Sequence, residues 1–552
     1  MLTKAEFKKL SDWVKKGKPL TKEEKTALKP YKVKNAILMA AGMSNRFAPI
    51  SYEMPKGLMR VKGEILVERQ IRQLNEAGID DITLVVGYMK EKFFYLKDMF
   101  GVKIVVNEDY YRYNNPSTLI RVLDQLSNTY ICSSDNYFTE NVFEPYVYEG
   151  YYSAVYSVGP TDEDCVHCDR HGIIKKLDIG GGHDIWFQSG HAYFDKAFSR
   201  KFKKILVKEI SNPATLAKVW EHMYARHLDE LKLHIRKYDR SVIWEFDSLE
   251  DLRAFDPDYI DNVDSRIFKN ICSILKCSPR EIVGIAAIKA GLTNTSFKFT
   301  VHGKDYVFRH PGKGTEKYIN RASEAFSMDI ASKLGLDKTF VYMDAKEGWK
   351  ISKYIKDARS LDYNNTREVT QALSMIKKLH DEKIVSKYDS DIWEKTEKLV
   401  QFLKDCGKAD YSEFDELHEQ MKQVHNTISA DRYSKKILCH CDCYSANFLL
   451  DSKNKMYLVD WEYSGNEDPA SDLGNFICCS DYTNEEVLEL INKYLGRKPA
   501  VAELKHYLGY IAIASYYWYI WALYQETRGN HMGRSLLTWY NSAKLYIKKV
   551  LG

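Results

Sequence analysis

One run, Cys439–Glu462 (CHCDCYSANFLLDSKNKMYLVDWE), constrains this chain more than any other. His440, Asp442 and Asn447 stand in the order H-x-D-x-x-x-x-N. Asp460 follows after two apolar triplets, Phe448-Leu449-Leu450 and Tyr457-Leu458-Val459. The triplets predict two short antiparallel strands that present polar residues at one edge. Phosphoryl transfer from a nucleotide needs a carboxylate to take the acceptor hydroxyl's proton and two further ligands to hold Mg²⁺ on the phosphates. Asp442 suits the first role; Asn447 and Asp460 suit the second. Asp and Asn are also ordinary turn residues, but four polar positions in this register, with strands between them, exceed what turns alone require.

At 552 residues the chain is too long for one core and should divide into about two to four domains. Its 45% hydrophobic and 28% charged content is that of an ordinary globular protein. A net charge of +5, without a long Lys/Arg block, gives no reason to expect nucleic acid as a partner. Cys478 and Cys479 are adjacent, and Cys439, Cys441 and Cys443 are crowded. This is no disulfide framework, and it points to the reducing cytoplasm. The opening MLTKAEFKKLSDWVKKGK shows no apolar signal core. Tyr507–Tyr524 carries no charged residue and has the length of a membrane span. Its tyrosines and tryptophans predict a buried aromatic helix instead, with no membrane partner.

Residues 1–33 read as an appendage of two short helices, the second capped by Thr21 with Glu24 three residues on. From Asn35 the pattern becomes α/β. Strands are expected at Ala36–Ala41, Ile82–Val86, Val102–Val106 and Thr129–Ser133, with a helix over Ile65–Ala77 closed by Gly78. This predicts a mostly parallel, Rossmann-like sheet with ligands at the carboxyl ends of its strands. The loop after the first strand is the second chemical signal. Ala41, Gly42 and Ser44 are small enough for backbone N–H groups to approach a triphosphate, and Arg46 and Lys56 can neutralise its charge. Asp135, at the end of a later strand, can hold Mg²⁺. Glu245 and Asp247 offer a second acidic site far along the chain.

AAG-x-x-x-R…PK, Asp135-Asn136 and Glu245-x-Asp247-Ser resemble the bacterial phosphocholine cytidylyltransferases, over about residues 34–256. The resemblance implies a pyrophosphorylase-like nucleotidyltransferase fold and CTP as substrate. It implies Mg²⁺ on Asp135 and Asp247, phosphates on Lys56 and Arg46, and an acceptor near Glu245. Two positions depart from the family pattern. Ser44 replaces its second loop glycine. Asp164 stands where a tryptophan would stack on choline's trimethylammonium, and would there pair with the ammonium by charge. Cys165, His167, Cys168 and His171 lie close together, but no second ligand pair follows at the spacing a zinc finger uses.

The Pro/Asp-rich stretch 256–262 marks a boundary at 256/257. Beyond it, Lys289–Phe297 reads as a nucleotide-covering hairpin, Tyr306–His310 as a strand bearing Arg309, and Gly314–Leu334 as a helix bearing Glu324. A strand cation paired with a helix glutamate is how kinase folds fix the α- and β-phosphates. GLTN, the strand arginine, GTE…NR, the catalytic run and DWEYSG…DP…DLGN resemble the choline/ethanolamine kinase family over about residues 260–552. The resemblance implies a protein-kinase-like α+β domain using ATP and Mg²⁺. Asp442 would be its base and Asn447 and Asp460 its metal ligands. The tryptophans of W-x-x-W, Trp518 and Trp521, would face a quaternary ammonium, aided by a carboxylate such as Asp468. The expectation is an appendage (1–33), a nucleotidyltransferase domain (34–256) and a phosphotransferase domain (257–552). Acting on small molecules, they would phosphorylate choline with ATP and then join phosphocholine to CTP. Ethanolamine or another amino alcohol as acceptor, and a non-catalytic nucleotide-binding scaffold, are the alternatives.

Overall fold

The computed structural model describes residues 2–288, 294–312, 315, 319–410, 413–529 and 532–552. The chain divides into two units, Met1–Ala287 and Ile288–Gly552, later than the break at 256/257. The helix Arg266–Leu275 falls in the first unit because Glu53 binds its start. The Glu53 carboxylate accepts the N–H groups of Arg266 (2.8 Å) and Ile267 (3.2 Å) and the hydroxyl of Ser265. An anion at a helix N-terminus satisfies donors that have no partner within the helix.

The first unit opens with α1 (Lys4–Lys15) and α2 (Lys22–Leu28), each started by a capping box, Thr3 with Glu6 and Thr21 with Glu24. Phe7, Tyr31 and Tyr148 pack ring against ring and fasten this appendage to the unit. Behind it, β1 (Asn35–Ala40), β2 (Ile82–Val86), β3 (Lys103–Val106) and β4 (Thr129–Ser133) run parallel in the order β4-β1-β2-β3. Both faces of these strands are covered. Leu38, Leu84 and Tyr130 point into one core, and Ile37, Val85 and Ile131 into the other. The helix expected here is α3 (Leu66–Glu76), and Gly78 follows with φ +72°. Beyond β4 the nine-stranded sheet becomes mixed. The segment 139–150, which holds no helix, carries the chain back to β6 (Tyr151–Thr161), which runs in the same direction as β4 without pairing to it. Between them lies β7 (Gly182–Phe194), antiparallel to both. A separate two-stranded ribbon joins β5 (Asn136–Phe138) to β9 (Ile243–Glu245), while β8 (His234–Tyr238) lies along β6.

The second unit begins with an antiparallel sheet ordered β10-β11-β13-β12. These strands are β10 (Thr295–Val301), β11 (Lys304–His310), β12 (Phe340–Met343) and β13 (Lys350–Lys353). The helix bearing Glu324 is α4 (Arg321–Leu334), started by the Asn320 side chain on the N–H groups of Ala322 and Ser323. Gly314, where it was expected to start, and most of the Lys289–Phe297 hairpin lie outside the described residues. Helices dominate the remainder. The uncharged aromatic run is the middle of α6 (Val501–Thr527), buried from Gly509 through Ile520. Its neighbour α5 (Pro469–Cys478) approaches so closely that a Cβ on Gly474 would lie 2.5 Å from the Tyr510 carbonyl oxygen. Among the described residues no helix is long and apolar enough to cross a membrane.

Candidate active sites

In the first unit β1 and β4 end side by side, and the Ser134 N–H donates to the Met39 carbonyl (3.1 Å). Sheet order reverses about this pair, which is where open α/β sheets place ligands. The loops leaving the two strands face a cavity of about 600 Å³ lined by Ala41, Gly42, Ser44, Arg46, Lys56 and Asp135. Ser44 has φ +51°, the conformation its family glycine adopts freely. A side chain there costs about 1–3 kcal/mol. Gly57 lets the Lys56 segment rest on the end of β4, because a Cβ would lie 2.7 Å from Ser134 Oγ. Lys56 Nζ consequently meets Asp135 Oδ2 at 2.8 Å.

The β5–β9 ribbon sets Glu245 opposite Asn136 and so brings the late acidic segment to Asp135. Asp247 Oδ1 lies 2.7 Å from Arg46 Nη2. Glu163, which the motif reading passed over, bonds to Asp247. Burial, then the charges of Glu245 and Asp247, push Glu163 up to about 8. Burial and then Asp135 push Glu245 up to about 7. Both carboxyls are solvent-exposed, so water tempers these shifts. Asp135 Oδ1 is buried with no hydrogen-bond partner among the described residues. Mutually repelling carboxylates around an open oxygen fit a hard dication.

Asp164 does not join them. Its Oδ2 lies 3.0 Å from His222 Nε2, and its Oδ1 accepts the Gly180 N–H (3.1 Å). The expected ammonium contact is thus replaced by a partner 58 residues further on.

In the second unit the apolar triplets pair as the antiparallel strands Phe448–Leu450 and Met456–Leu458. His440 ties the two ends of the motif together: its Nε2 donates to the Val459 carbonyl (2.9 Å), and its Nδ1 accepts the Asp442 N–H (3.3 Å). From α5, Asp472 accepts the N–H groups of His440 (2.9 Å) and Cys441 (2.6 Å), with His380 Nε2 2.9 Å away. Asn447 Nδ2 donates to Asp442 Oδ2 (3.0 Å), while Asp442 Oδ1 is buried without a partner among the described residues. Burial, then the charge of Asp460, push the Asp442 carboxyl well above its usual range. That oxygen is the one available to take a proton.

Arg309 Nη1 meets Glu324 Oε1 at 2.6 Å, and its Nη2 meets Oε2 at 2.8 Å. Lys350, directly across from Arg309 on β13, lies 3.1 Å from Glu324 and 3.5 Å from Asp460. Glu324 is fully buried. Burial alone would raise its carboxyl, but Lys350 and Arg309 outweigh it and hold the group well below the carboxylate range. Arg309, Asp442, Asp460, Glu462 and the tryptophans share a cavity of about 690 Å³.

The tryptophans form part of a cage. The Trp518 ring is 5.4 Å from Trp521, 6.0 Å from Trp539 and 6.4 Å from Tyr463, centroid to centroid. Trp518 Nε1 donates to Asn475 Oδ1 (2.7 Å), which fixes its face. Asp468 is placed elsewhere. It caps α5 through the Ala470 N–H (2.9 Å), accepts the Lys435 N–H (2.8 Å) and meets His506 at 3.2 Å, only 2% exposed. The additional carboxylate that lines the cavity is Asp481.

A family model described as "Choline/ethanolamine kinase" matches residues 285–531, and one described as "MobA-like NTP transferase domain" matches residues 36–142. Choline-phosphate cytidylyltransferase of Streptococcus pneumoniae is 32% identical over 223 residues, 40% of this chain and 96% of the relative. The chain belongs to the choline-phosphate cytidylyltransferase family in its first unit and carries a choline/ethanolamine kinase family domain in its second. The 2-aminoethylphosphonate cytidylyltransferase of Lancefieldella rimae is 32% identical over 230 residues, 41% of this chain and 93% of the relative. The crystal structure of choline kinase LicA from Streptococcus pneumoniae shares 22% identity, covers 51% of this chain and 98% of its own, and has a TM-score of 0.44.

This two-domain transferase therefore pairs a cytidylyltransferase with a choline/ethanolamine kinase-like unit. Motif reading missed Glu163 in the cytidylyltransferase unit, and Lys350, Tyr463, Trp539 and Asp481 in the kinase unit. Trp539 was findable, since α6 is followed by a second aromatic-bearing helix, Arg534–Leu551. Lys350 carried no signal except a lysine beginning a short strand.

Proposed function

We propose that the kinase unit phosphorylates choline with ATP and that the cytidylyltransferase unit joins the resulting phosphocholine to CTP, yielding CDP-choline and pyrophosphate. The carrying observation is the cage of Tyr463, Trp518, Trp521 and Trp539 in the same cavity as the unpartnered oxygen of Asp442. A trimethylammonium has no N–H to donate and is attracted to aromatic faces by about 0.5–2 kcal/mol per contact. With the ammonium in the cage, the choline hydroxyl faces Asp442 Oδ1, which takes its proton. Arg309 and Lys350, held by Glu324, orient the ATP phosphates.

In the cytidylyltransferase unit, Lys56 and Arg46 exchange their carboxylate partners for CTP phosphates, which approach the backbone at Gly42. Asn447 and Asp460 in one unit, and Asp135 and Asp247 in the other, would hold Mg²⁺, which would supply charge neutralisation for the reacting phosphates. The phosphate of phosphocholine attacks the α-phosphorus of CTP, and pyrophosphate leaves.

A primary-amine acceptor is the second reading for the cytidylyl step. It draws on the exposed carboxyls of Glu163 and Glu245 beside Asp247 and Asp135, and on Asp164 standing where the family has a tryptophan. The test is turnover by the full chain with Mg²⁺, ATP and CTP on choline, ethanolamine and their phosphate esters. Choline and phosphocholine should show the highest kcat/KM. Preference for the ethanolamine pair would shift the reading, and no turnover on any of the four would favour a scaffold.

A further inference from the structure

Beside the acceptor pocket the kinase unit holds another cavity, of about 770 Å³, which the phosphotransfer chemistry does not use. Its volume is that of a small-ligand site. Phe402, Tyr463, Trp521 and Tyr524 form aromatic walls, and Lys346 and Lys395 line it with positive charge. Tyr463 and Trp521 also wall the acceptor cavity, so the two spaces share rings.

Lys395 decides what the cavity suits. Its Nζ donates to Ser390 Oγ (2.7 Å) and stands 5.6 Å from the Tyr463 ring centroid. No carboxylate oxygen lies within 4.0 Å of it among the described residues. Burial lowers the proton affinity of this amine despite the opposing charges of Glu467, Asp391 and Asp442 nearby, so an incoming anion would stabilise its charge further. Three acids, Asp389, Asp391 and Glu394, line the same cavity together with Arg321 and Lys398, and each acid already has a partner. Glu394 pairs with Lys398 (2.6 Å), Asp391 accepts the Glu394 N–H (2.9 Å), and Asp389 accepts from Asn466 (3.0 Å). Ser390 Oγ in turn donates to the Tyr463 carbonyl (2.6 Å), so a pull on Lys395 reaches Tyr463 through one hydroxyl.

We propose that this cavity binds a nucleoside phosphate, its base against the aromatic walls and its phosphates on Lys395 and Lys346, and that occupancy weakens acceptor binding through Tyr463 and Trp521. The nucleotide with the closest source is the cytidine product of the other unit. That identity rests on the cytidylyl-transfer reading; the ligand class does not.

The test measures ADP formation by the full chain at saturating ATP and varied choline, with CDP-choline, CTP or AMP added. CDP-choline should raise KM for choline about tenfold, within the usual range of coupling between sites. Phe402→Ala and Lys346→Ala, both outside the acceptor pocket, should keep the basal rate and abolish that rise. An equal effect of AMP, abolished by the same variants, would support the site and change the source. Inhibition relieved by ATP, or untouched by both variants, would put the nucleotide in the ATP site or the cage and overturn the proposal. Constant KM with all three nucleotides, while CTP turnover proceeds, would overturn it and leave cytidylyl transfer standing.

Discussion

Asn447 holds Asp442 twice: its Nδ2 donates to the Asp442 carbonyl oxygen (2.8 Å) and to Oδ2 (3.0 Å). One carboxylate oxygen is thereby fixed and the other left for the acceptor. Asn447→Ala should remove this brace and a proposed metal ligand together. Phosphorylation should fall by about 10²–10⁴-fold, the range typical of impaired general-base chemistry, while cytidylyl transfer continues. A kinase rate near wild type would take Asn447 out of both roles.

Glu324 balances Arg309, Arg321 and Lys350 inside the kinase unit. Glu324→Gln removes their nearest counter-charge and leaves them, among the described residues, only Asp460 and Glu462, at 3.3–3.6 Å. Breaking a buried pair in this way costs about 3–5 kcal/mol, to be read from the urea unfolding of the full chain. A loss below about 1 kcal/mol, the scale of exposed pairs, would show that solvent already screens the cluster.

The acidic cleft of the cytidylyltransferase unit predicts a pH dependence. Glu163 is raised from 4.5 to about 8 in the folded chain, so the folded state holds its proton more tightly than the unfolded state. Stability from this group is therefore present below pH 4.5 and is lost as pH climbs towards 8. In Mg²⁺-free buffer, Glu163→Gln should unfold at a higher temperature than wild type at pH 8, with the gap closing towards pH 4.5. A gap independent of pH would mean the carboxyl is not raised.

The parts of both sites that share one short segment are legible from sequence, because spacing carries them. His440, Asp442 and Asn447 lie within one turn-strand unit, and Gly42, Ser44 and Arg46 within one loop. What is missed depends on distant partners. Nothing near Asp164 announces that His222 will hydrogen-bond to it, or that Glu163 will face Asp247 instead. Asp468 is a helix cap in the structure, a role its following proline also suits. The antiparallel course of β7 was equally hidden, since a strand pattern carries no direction.

Trp539 extends the cage beyond the W-x-x-W pair. Trp539→Ala should raise KM for choline by about 2- to 30-fold, the equivalent of one cation–π contact of roughly 0.5–2 kcal/mol. It should raise KM for ethanolamine less, because a primary ammonium can use carboxylates such as Asp481. Equal effects on both substrates would reduce Trp539 to packing.

Two chemistries on two separable sites are tested most directly by Asp442→Asn in the full chain. ADP formation from choline and pyrophosphate release from supplied phosphocholine are followed in parallel, with folding checked by thermal unfolding. ADP formation should fall by about 10²–10⁴-fold, and pyrophosphate release should match wild type. Loss of both activities in a folded variant, or an undiminished rate of ADP formation, would contradict the assignment of Asp442 as the base of a separate kinase site.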